Sequence, residues 1–496
     1  MHKKKFHFGW VLVFVLVLLA SQLFASGSGA GRLNDFSARA SEMAGLSAYL
    51  PLVIREFPGT PTSFGIDLGA INAGNGSNQM VQAGSDWVRR DGVDWAAVEP
   101  NKGDRNWSAI AGLEADLVNA YKSGLTPIVV VSGTPAWAQK YSGYGCGPVK
   151  SEEFASFAGF MHDLVKRYSG PPFNVKYWEI WNEPDVSYFL IGQAGLPDSR
   201  YGCWGELDDP YYGGEYYGQM LSVVTPQIKV ANPSANVLVG GLLLDCDPIN
   251  PPVISGATKD CTSSRFFDGI LKAGGGAYLD GISFHAYDYY DVALGKFSNP
   301  NWNSSWDTTG PVAIAKANYL SGLLSQHGVE GKFLINTEAA VICGGAFDDP
   351  GLSPCDSDPG SAFELSKAHY VVKTYAINNS LGLRASIWYQ VFGWRNSGLL
   401  YGDLSGRPAY AAYAVTENAV GGAEFQQKIE QFAGVDVYEY SDEDKLVWIL
   451  WSKDGLNHTV DLSTLPTATY DALGNPLTPA LTVQSGMAPI FLEWAK

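Results

Sequence analysis

Positive charge is scarce in this chain of 496 residues. Lys and Arg number 33 against 50 Asp and Glu, which gives a net charge of −17. Without Lys3, Lys4 and Lys5 near the N-terminus, the net charge of the rest would be −20. Nucleic acids and anionic membranes carry the same sign of charge, so the composition argues against either as a partner.

Motifs for metals and cofactors are also missing. The seven His form no ligand cluster, and no Cys-x-x-Cys spacing occurs. No Gly-rich phosphate loop follows an apolar run, which weakens a nucleotide-binding interpretation. The chain contains neither an internal repeat nor a low-complexity tract. The sequence therefore predicts a protein that needs no metal and no organic cofactor.

The N-terminus holds the longest apolar run of the chain, and no later segment looks transmembrane. Lys3-Lys4-Lys5 precede an apolar stretch from Trp10 to Ala20, and small residues follow at Ala25-Ser26-Gly27. This layout is typical of a secretory signal over residues 1–25. An uncleaved anchor is the alternative, because Phe6 to Ala25 nearly reaches membrane-spanning length. Both interpretations place the body outside the cytoplasm, secreted or anchored, and neither predicts an integral membrane partner.

Six Cys in an exported chain indicate disulfide bonds. Six cysteines allow fifteen pairings, and the sequence alone does not choose among them. Closeness along the chain suggests Cys246–Cys261 and Cys343–Cys355, which leaves Cys146–Cys203. These pairs would lie in loops after successive strands and would brace a binding face.

Short apolar runs alternate with amphipathic stretches from residue 62 to residue 422. This alternation predicts an α/β protein with a (β/α)₈ TIM barrel, and a doubly wound open sheet is the second possibility. The predicted strands are 64–68, 87–90, 127–131, 177–182, 237–244, 281–285, 333–336 and 385–389. The predicted helices are 110–121, 152–168, 216–230, 265–272, 311–326, 363–377 and 409–420.

The pattern changes on both sides of the predicted barrel. Residues 26–61 resemble a linker. Residues 423–496 contain strand-like runs separated by turn signals such as Asp454-Gly455, which predicts a small antiparallel, β-sandwich-like domain packed on the barrel.

Two predicted strands end in a glutamate. Lys176-Tyr-Trp-Glu-Ile-Trp-Asn-Glu-Pro-Asp185 places Asn182 and Glu183 at the end of strand four, where Pro184 stops the strand and favours an extended Glu183. Lys332-Phe-Leu-Ile-Asn-Thr-Glu338 places a second carboxylate at the end of strand seven. Tips of parallel barrel strands face one pocket, and two carboxylates across a pocket are what glycoside hydrolysis requires.

The Trp-Asn-Glu-Pro motif with a second strand-end Glu resembles the clan A retaining glycoside hydrolases over residues 62–422. Within that clan, the stretch from Arg90 to Gly103 resembles families 39 and 5, and Thr134-Pro-Ala-Trp-Ala138 resembles family 39 β-xylosidase-like proteins. The resemblance implies a secreted O-glycosyl hydrolase that cleaves β-linked carbohydrate by double displacement. Its carboxyl groups would lie about 5–5.5 Å apart, as in retaining enzymes.

The resemblance also implies roles for individual residues. Glu183 would be the acid/base and Glu338 the nucleophile. The substrate-binding positions, and the reason for each, are these: Arg90 beside the nucleophile, Asn182 on the sugar 2-hydroxyl, His285 lining the pocket, Tyr287 bonded to the nucleophile, Trp388 as the floor of the −1 site, and Trp137 as a stacking surface. Trp394 is a further candidate.

Two other functions stay open at this point. A barrel of this kind could bind carbohydrate without cleaving it, or could serve as a structural cell-surface protein. The residues do not identify the sugar or linkage, do not separate endo from exo cleavage, and leave the oligomeric state undetermined.

Overall fold

A computed structural model describes residues 62–188, 203–254, 256–290, 302–344, 355 and 357–496. The predicted signal segment and linker, residues 1–61, lie outside these ranges. Within the described ranges, no helix is both long enough and apolar enough to cross a membrane.

Eight parallel strands form a closed barrel. Each strand pairs with its neighbours in chain order, and pairing of the sixth strand with the seventh and of the eighth with the first closes the ring. The predicted barrel is thus confirmed, and an open sheet is excluded because no barrel strand forms an edge. The strands are β1 Phe64–Asp67, β2 Trp87–Asp94, β3 Thr126–Ser132, β4 Tyr177–Ile180, β5 Asn236–Leu242, β6 Gly281–Tyr290, β7 Phe333–Cys343 and β8 Ser386–Trp388.

A helix follows each barrel strand, and together the helices cover its outer surface. In α3, for example, Phe157, Met161, Leu164 and Tyr168 recur at helical spacing and are all buried. The sequence missed the short first helix and a single turn of helix at Trp95–Val98. The helices are α1 Ser77–Gln82, α2 Ala111–Ser123, α3 Phe154–Tyr168, α4 Gly214–Ala231, α5 Phe266–Lys272, α6 Ala313–Gln326, α7 Ala362–Ser380 and α8 Pro408–Val420.

An apolar layer fills the lower barrel interior. It consists of Trp87, Ile128, Tyr177, Leu238, Ile335, Ala385 and Ile387, all buried. Successive side chains of a strand point to opposite faces, so the residues two positions further along also point inward. That rule brings Arg89 of β2 and Glu179 of β4 into the barrel above the apolar layer, and both are fully buried.

Strand β7 departs from strict alternation. Its pairing with β6 shifts register between Asn336 and Glu338, where a β-bulge adds a residue. Strict alternation from Ile335 would turn Glu338 outward with Asn336. Because of the bulge, Thr337 and Glu338 both reach groups in the interior: the Thr337 hydroxyl lies 3.5 Å from Glu179 Oε1, and Glu338 contacts Arg89.

The C-terminal region forms a five-stranded antiparallel sheet, as predicted in outline. Counted along the chain, this region has seven strands: the sheet order is first, second, third, seventh and fifth, and the fourth and sixth form a separate two-stranded ribbon. Buried Tyr438, Tyr440 and Trp451 share one core with α7 and α8 of the barrel. The boundary at 423 and the status of the sheet as a separate domain stay predictions. The strands are β9 Glu424–Lys428, β10 Val435–Ser441, β11 Lys445–Ser452, β12 His458–Asp461, β13 Ala468–Asp471, β14 Thr482–Ser485 and β15 Ile490–Ala495.

All six cysteines form disulfides, and the pairs are the three that closeness along the chain suggested. They are Cys146–Cys203, Cys246–Cys261 and Cys343–Cys355. Each bond ties down chain that follows a barrel strand at its carboxyl end, so together they brace the face that carries the strand-end glutamates.

Candidate active site

Glu183 lies three residues beyond the end of β4, in a sharply turning backbone. Trp181 and Glu183 have φ values of 79° and 45°, which corrects the expectation of an extended Glu183. The turn is held because Trp181 N donates to Val131 O at 2.7 Å and Glu183 N donates to Gly241 O at 3.1 Å. Non-glycine residues in this region of φ cost free energy and occur preferentially at functional sites.

Glu338 faces Glu183 from the bulge in β7. One of its oxygens accepts a hydrogen bond from the Tyr287 hydroxyl, and the other lies 2.6 Å from Arg89 Nη1. One carboxylate oxygen from each glutamate and one ring nitrogen of His285 all lie within 4.8 Å of one another. The structure thus brings together four residues that the sequence singled out: Glu183, Glu338, His285 and Tyr287.

The guanidinium beside Glu338 belongs to Arg89, so the assignment of this place to Arg90 was wrong by one residue. Arg90 points away from the barrel interior, and its Nε lies 2.8 Å from Asp116 on α2. Arg89 is fully buried and also donates from Nη2 to Asn182 Oδ1 at 2.7 Å. Asn182 therefore does lie at the site, fixed by the same cation that contacts the carboxylate of Glu338.

A third glutamate, Glu179, holds the other side of Arg89 and was missed by the sequence analysis. Its Oε2 accepts from Arg89 Nε at 3.0 Å, while its Oε1 accepts from Arg89 Nη2 at 3.2 Å and from Gly241 N at 2.5 Å. This paired geometry fixes the plane of the guanidinium. Alternation from the inward-facing Tyr177 is the signal that could have found Glu179.

His285 lies between the two strand-end carboxyls and is fully buried. Its Nδ1 is 2.7 Å from Glu183 Oε1, and its Nε2 is 3.5 Å from Glu338 Oε1. Burial lowers the pKa of His285 to about 4, against the opposing effect of Glu338. The ring is therefore neutral near pH 7, with one N–H and one acceptor nitrogen.

A neutral His285 fits one arrangement of protons especially well. If Nε2 carries the proton, it faces the carboxylate of Glu338, and the acceptor Nδ1 then needs a proton donor in Glu183. The ring thus favours a protonated Glu183 opposite an ionised Glu338. The opposite tautomer would turn the lone pair of Nε2 toward Glu338, which is unfavourable for an ionised carboxylate.

The electrostatic surroundings of the two glutamates support the same division. Burial raises the pKa of Glu183 to about 7, and the more distant charges of Arg89 and Lys316 act in the opposite direction. Burial likewise raises the pKa of Glu338 to about 7, against the opposing charge of Arg89. Because Glu338 has the direct contacts to Arg89 and to the Tyr287 hydroxyl, its charged form is the better stabilised of the two.

The prediction that Trp388 forms the floor of the pocket is also wrong by one position. Trp388 is fully buried, packs with Tyr370 of α7, and donates from its indole to Ser397 O at 2.9 Å. Its ring therefore belongs to the layer between barrel and helices. The next residue, Tyr389, lies 5.9 Å from the ring of Tyr287 and interacts electrostatically with Glu338, which places it at the pocket.

Two further tryptophans differ in where they lie. Trp394 is 52% exposed, and its ring stands edge-on to Tyr287 at 6.3 Å, so it offers an open aromatic surface beside Tyr287. Trp137 packs against Trp95 at 5.2 Å, and its indole donates to Glu99 O. Among the described contacts, none connects Trp137 with the carboxylate pair, so its role in stacking stays a prediction.

The three clustered side chains also have the donor types of a metal site. Glu183, His285 and Glu338 could each offer one ligand atom. However, the Arg89 guanidinium lies 2.6 Å from Glu338 Oε1 and opposes the approach of a divalent cation to that oxygen. The donor set therefore suits proton transfer better than metal binding.

Comparison with solved structures confirms the fold. A family 39 glycoside hydrolase from the gut symbiont Bacteroides cellulosilyticus WH2 matches with a TM-score of 0.63 and 18% identity, over 88% of this chain and 81% of that chain. A GH30 endoxylanase from Clostridium papyrosolvens C71 has a TM-score of 0.56 and 14% identity, over 88% and 98% of the two chains. A monomeric beta-xylosidase from Caulobacter crescentus CB15 has a TM-score of 0.53 and 14% identity, over 88% and 97%. No family profile and no curated protein sequence matches this chain.

Proposed function

We propose that this protein is a retaining glycoside hydrolase that acts on β-linked carbohydrate outside the cytoplasm. The observation that carries the proposal is the facing pair of Glu183 and Glu338, whose oxygens come within 4.8 Å of each other with His285 between them. Retaining enzymes hold their carboxyl groups about 5–5.5 Å apart, whereas inverting enzymes need about 6.5–9.5 Å to admit a water molecule.

In the proposed reaction, Glu338 attacks the anomeric carbon while Glu183 protonates the departing glycosidic oxygen. A covalent glycosyl-enzyme forms, and Glu183 then removes a proton from the water molecule that releases the sugar. Arg89 and the Tyr287 hydroxyl stabilise the charged nucleophile before the attack. Asn182, fixed by Arg89, is placed to bind the sugar 2-hydroxyl, a contact that strengthens in the transition state.

The similar structures support a xylan-type substrate, since their descriptions name an endoxylanase and a beta-xylosidase. Exposed Trp394 beside Tyr287 supports a sugar ring stacked at the mouth of the pocket. The proposed location outside the cytoplasm rests on the N-terminal sequence and agrees with three disulfides.

The test is hydrolysis of a panel of aryl β-glycosides and β-linked polysaccharides, with β-xylosides included. We expect Glu338→Gln to lower kcat by at least roughly 10³-fold, since the covalent step is lost. We expect Glu183→Ala to hydrolyse an activated aryl glycoside slowly and to recover when azide is added, with a β-glycosyl azide as product. Treatment with EDTA should leave the wild-type rate unchanged.

Glu364→Gln is the matched control, because Glu364 is fully buried in an ion pair with Lys367 on α7. If the Glu364→Gln variant folds, its kcat should equal that of the wild type. An α-configured azide product would refute retention. Sugar binding without turnover on any substrate of the panel would instead favour a carbohydrate-binding protein.

A further inference from the structure

A second pocket lies on the flank of the barrel, between the C-terminal half of α7 and strands β9–β11. Its volume is about 380 Å³, within the range of about 300–1,000 Å³ that small-molecule sites occupy. It shares no residue with the candidate active site. We call it the α7–sheet pocket and define it by Lys373, Lys428, Asp436, Tyr438, Trp451 and Lys453.

Three amines converge on the α7–sheet pocket. Lys428 Nζ lies 2.9 Å and Lys453 Nζ 3.6 Å from the same oxygen of Asp436. Both also lie 3.5 Å from the exposed Glu430 at the rim. Each ammonium carries three N–H donors, so these two carboxylates leave donors available for a ligand. Lys373 is the third amine that lines the pocket.

Lys373 is the most deeply placed of the three amines. Only 4% of the residue is exposed, and its Nζ lies 5.6 Å from the ring centroid of Trp451. Burial lowers the pKa of Lys373 to about 7, while the charge of Asp436 acts in the opposite direction. An arriving anion would therefore stabilise an ammonium group that its surroundings disfavour.

The remaining walls suit a ring with apolar faces. Tyr438 and Trp451 stack on each other, with their centroids 5.1 Å apart and their planes 15° from parallel, and only 6% and 3% of these residues are exposed, so they offer a ligand little surface. Ile377 of α7 and Phe425 of β9 supply apolar surface, and Ser452 adds a hydroxyl. A pyranose presents C–H faces to such walls and hydroxyls to polar groups, whereas a small inorganic anion would use the amines alone.

We propose that the α7–sheet pocket binds a uronate, a pyranose that carries a carboxylate. The carboxylate would lie among the amines of Lys373, Lys428 and Lys453, and the sugar ring would pack beside Trp451. Asp436 would accept hydrogen bonds from the ring hydroxyls while keeping two of the lysines in place. Such a site would hold acidic glycans on the flank of the barrel, and it does not depend on the proposed hydrolytic activity.

The test is isothermal titration of the full chain with D-glucuronate, D-glucose and sodium sulfate at equal low ionic strength. We expect glucuronate to bind at least tenfold more tightly than either of the other two. The double variant Lys428→Gln/Lys453→Gln should weaken glucuronate binding at least tenfold, because it removes two of the three amines. Both side chains are about one third exposed, so their loss should not prevent folding.

A matched control variant has the same total charge as the Lys428→Gln/Lys453→Gln variant. Lys122→Gln/Lys166→Gln removes two exposed lysines from α2 and α3 and should bind glucuronate like the wild type. The proposal is overturned if glucuronate does not bind, if both double variants bind it as well as wild type, or if sulfate binds as tightly. Glycoside hydrolysis by the Lys428/Lys453 variant should equal that of the wild type, so this result separates the second pocket from the active site.

Discussion

Replacing Glu179 by Gln should shift the pH dependence of catalysis, although Glu179 is not placed to touch the substrate. Glu179 lies below the two strand-end glutamates and holds Arg89 through paired hydrogen bonds at 3.0 and 3.2 Å. Arg89 in turn contacts Glu338 at 2.6 Å. Gln preserves the shape of the side chain but removes its negative charge. The positive charge of Arg89 would then stabilise the ionised form of Glu338 more strongly.

The size of the effect follows from Coulomb's law. Two carboxylates on opposite sides of one guanidinium lie roughly 6 Å apart, and an effective dielectric constant of about 20 gives about 3 kcal/mol of repulsion. One pKa unit corresponds to about 1.4 kcal/mol, so losing the charge of Glu179 should lower the pKa of Glu338 by roughly 1–2 units. Glu338 must be ionised to attack, so activity should persist to a correspondingly lower pH.

The assay is the pH profile of kcat/KM on the best aryl glycoside. In Glu179→Gln the acid limb should move down by about 1–2 pH units, as the Coulomb estimate requires. The amide nitrogen must face either Gly241 N or Arg89 Nε, both donors, so we also expect about 1–3 kcal/mol lower stability. Glu364→Gln should lose comparable stability and keep the wild-type profile. An unmoved acid limb in a folded, active Glu179→Gln would refute the reasoning.

Two further predictions concern the corrected positions. Arg90→Met should cost roughly 1–3 kcal/mol of stability, because it leaves the buried carboxylate of Asp116 without its cation, and should change kcat/KM less than about twofold. Arg89→Met should lower kcat/KM at least roughly 100-fold through loss of the positive charge beside Glu338. An equal loss in both variants would contradict the assignment. Trp394→Ala should raise KM roughly tenfold, about 1.4 kcal/mol, with kcat nearly unchanged; a fall in kcat alone would show that Trp394 does not bind the substrate.

Strand and helix positions could be predicted because barrel strands are buried on both faces. Such strands read as short continuous apolar runs, and the helices between them show period 3.6. Predicted and observed strands overlap in all eight cases, and the main errors lie at their ends. For example, β6 and β7 continue to Tyr290 and Cys343, because the two strands keep pairing beyond the barrel mouth. Pairing between distant segments is not visible in local sequence.

The two wrong site residues share one physical cause. Neighbouring residues of a strand point to opposite faces, so an error of one position exchanges the barrel interior for the helix layer. Arg89 follows Trp87 inward by two positions, and Tyr389 follows Ile387 in the same way. Alternation counted from these apolar residues would have corrected both assignments, whereas matching to a family motif did not fix the register.

Glu338 shows the opposite case, in which alternation fails and motif matching succeeds. Counted from inward-facing Ile335, position 338 should face the helices. The bulge between Asn336 and Glu338 reverses this, and nothing in the local run of residues announces it. Bulges concentrate beside functional sites because they re-aim a side chain at small cost to the sheet.

The acid role proposed for Glu183 depends on all the carboxyl groups around Arg89 at the barrel mouth, more than on the contacts that Glu183 itself makes. Arg89 lies near five carboxyl groups: Asp67 at 3.5 Å, Asp91 at 4.0 Å, Glu179 and Glu338 by direct pairing, and Glu183 through longer-range attraction. Even with the additional charge of Lys316 acting on Glu183, Arg89 cannot compensate all of these carboxyl groups in a site of low dielectric. Burial accordingly raises the pKa values of Asp67, Glu183 and Glu338 to about 7. The carboxyl without a direct bond to Arg89 keeps its proton most readily, and of the two strand-end glutamates that one is Glu183.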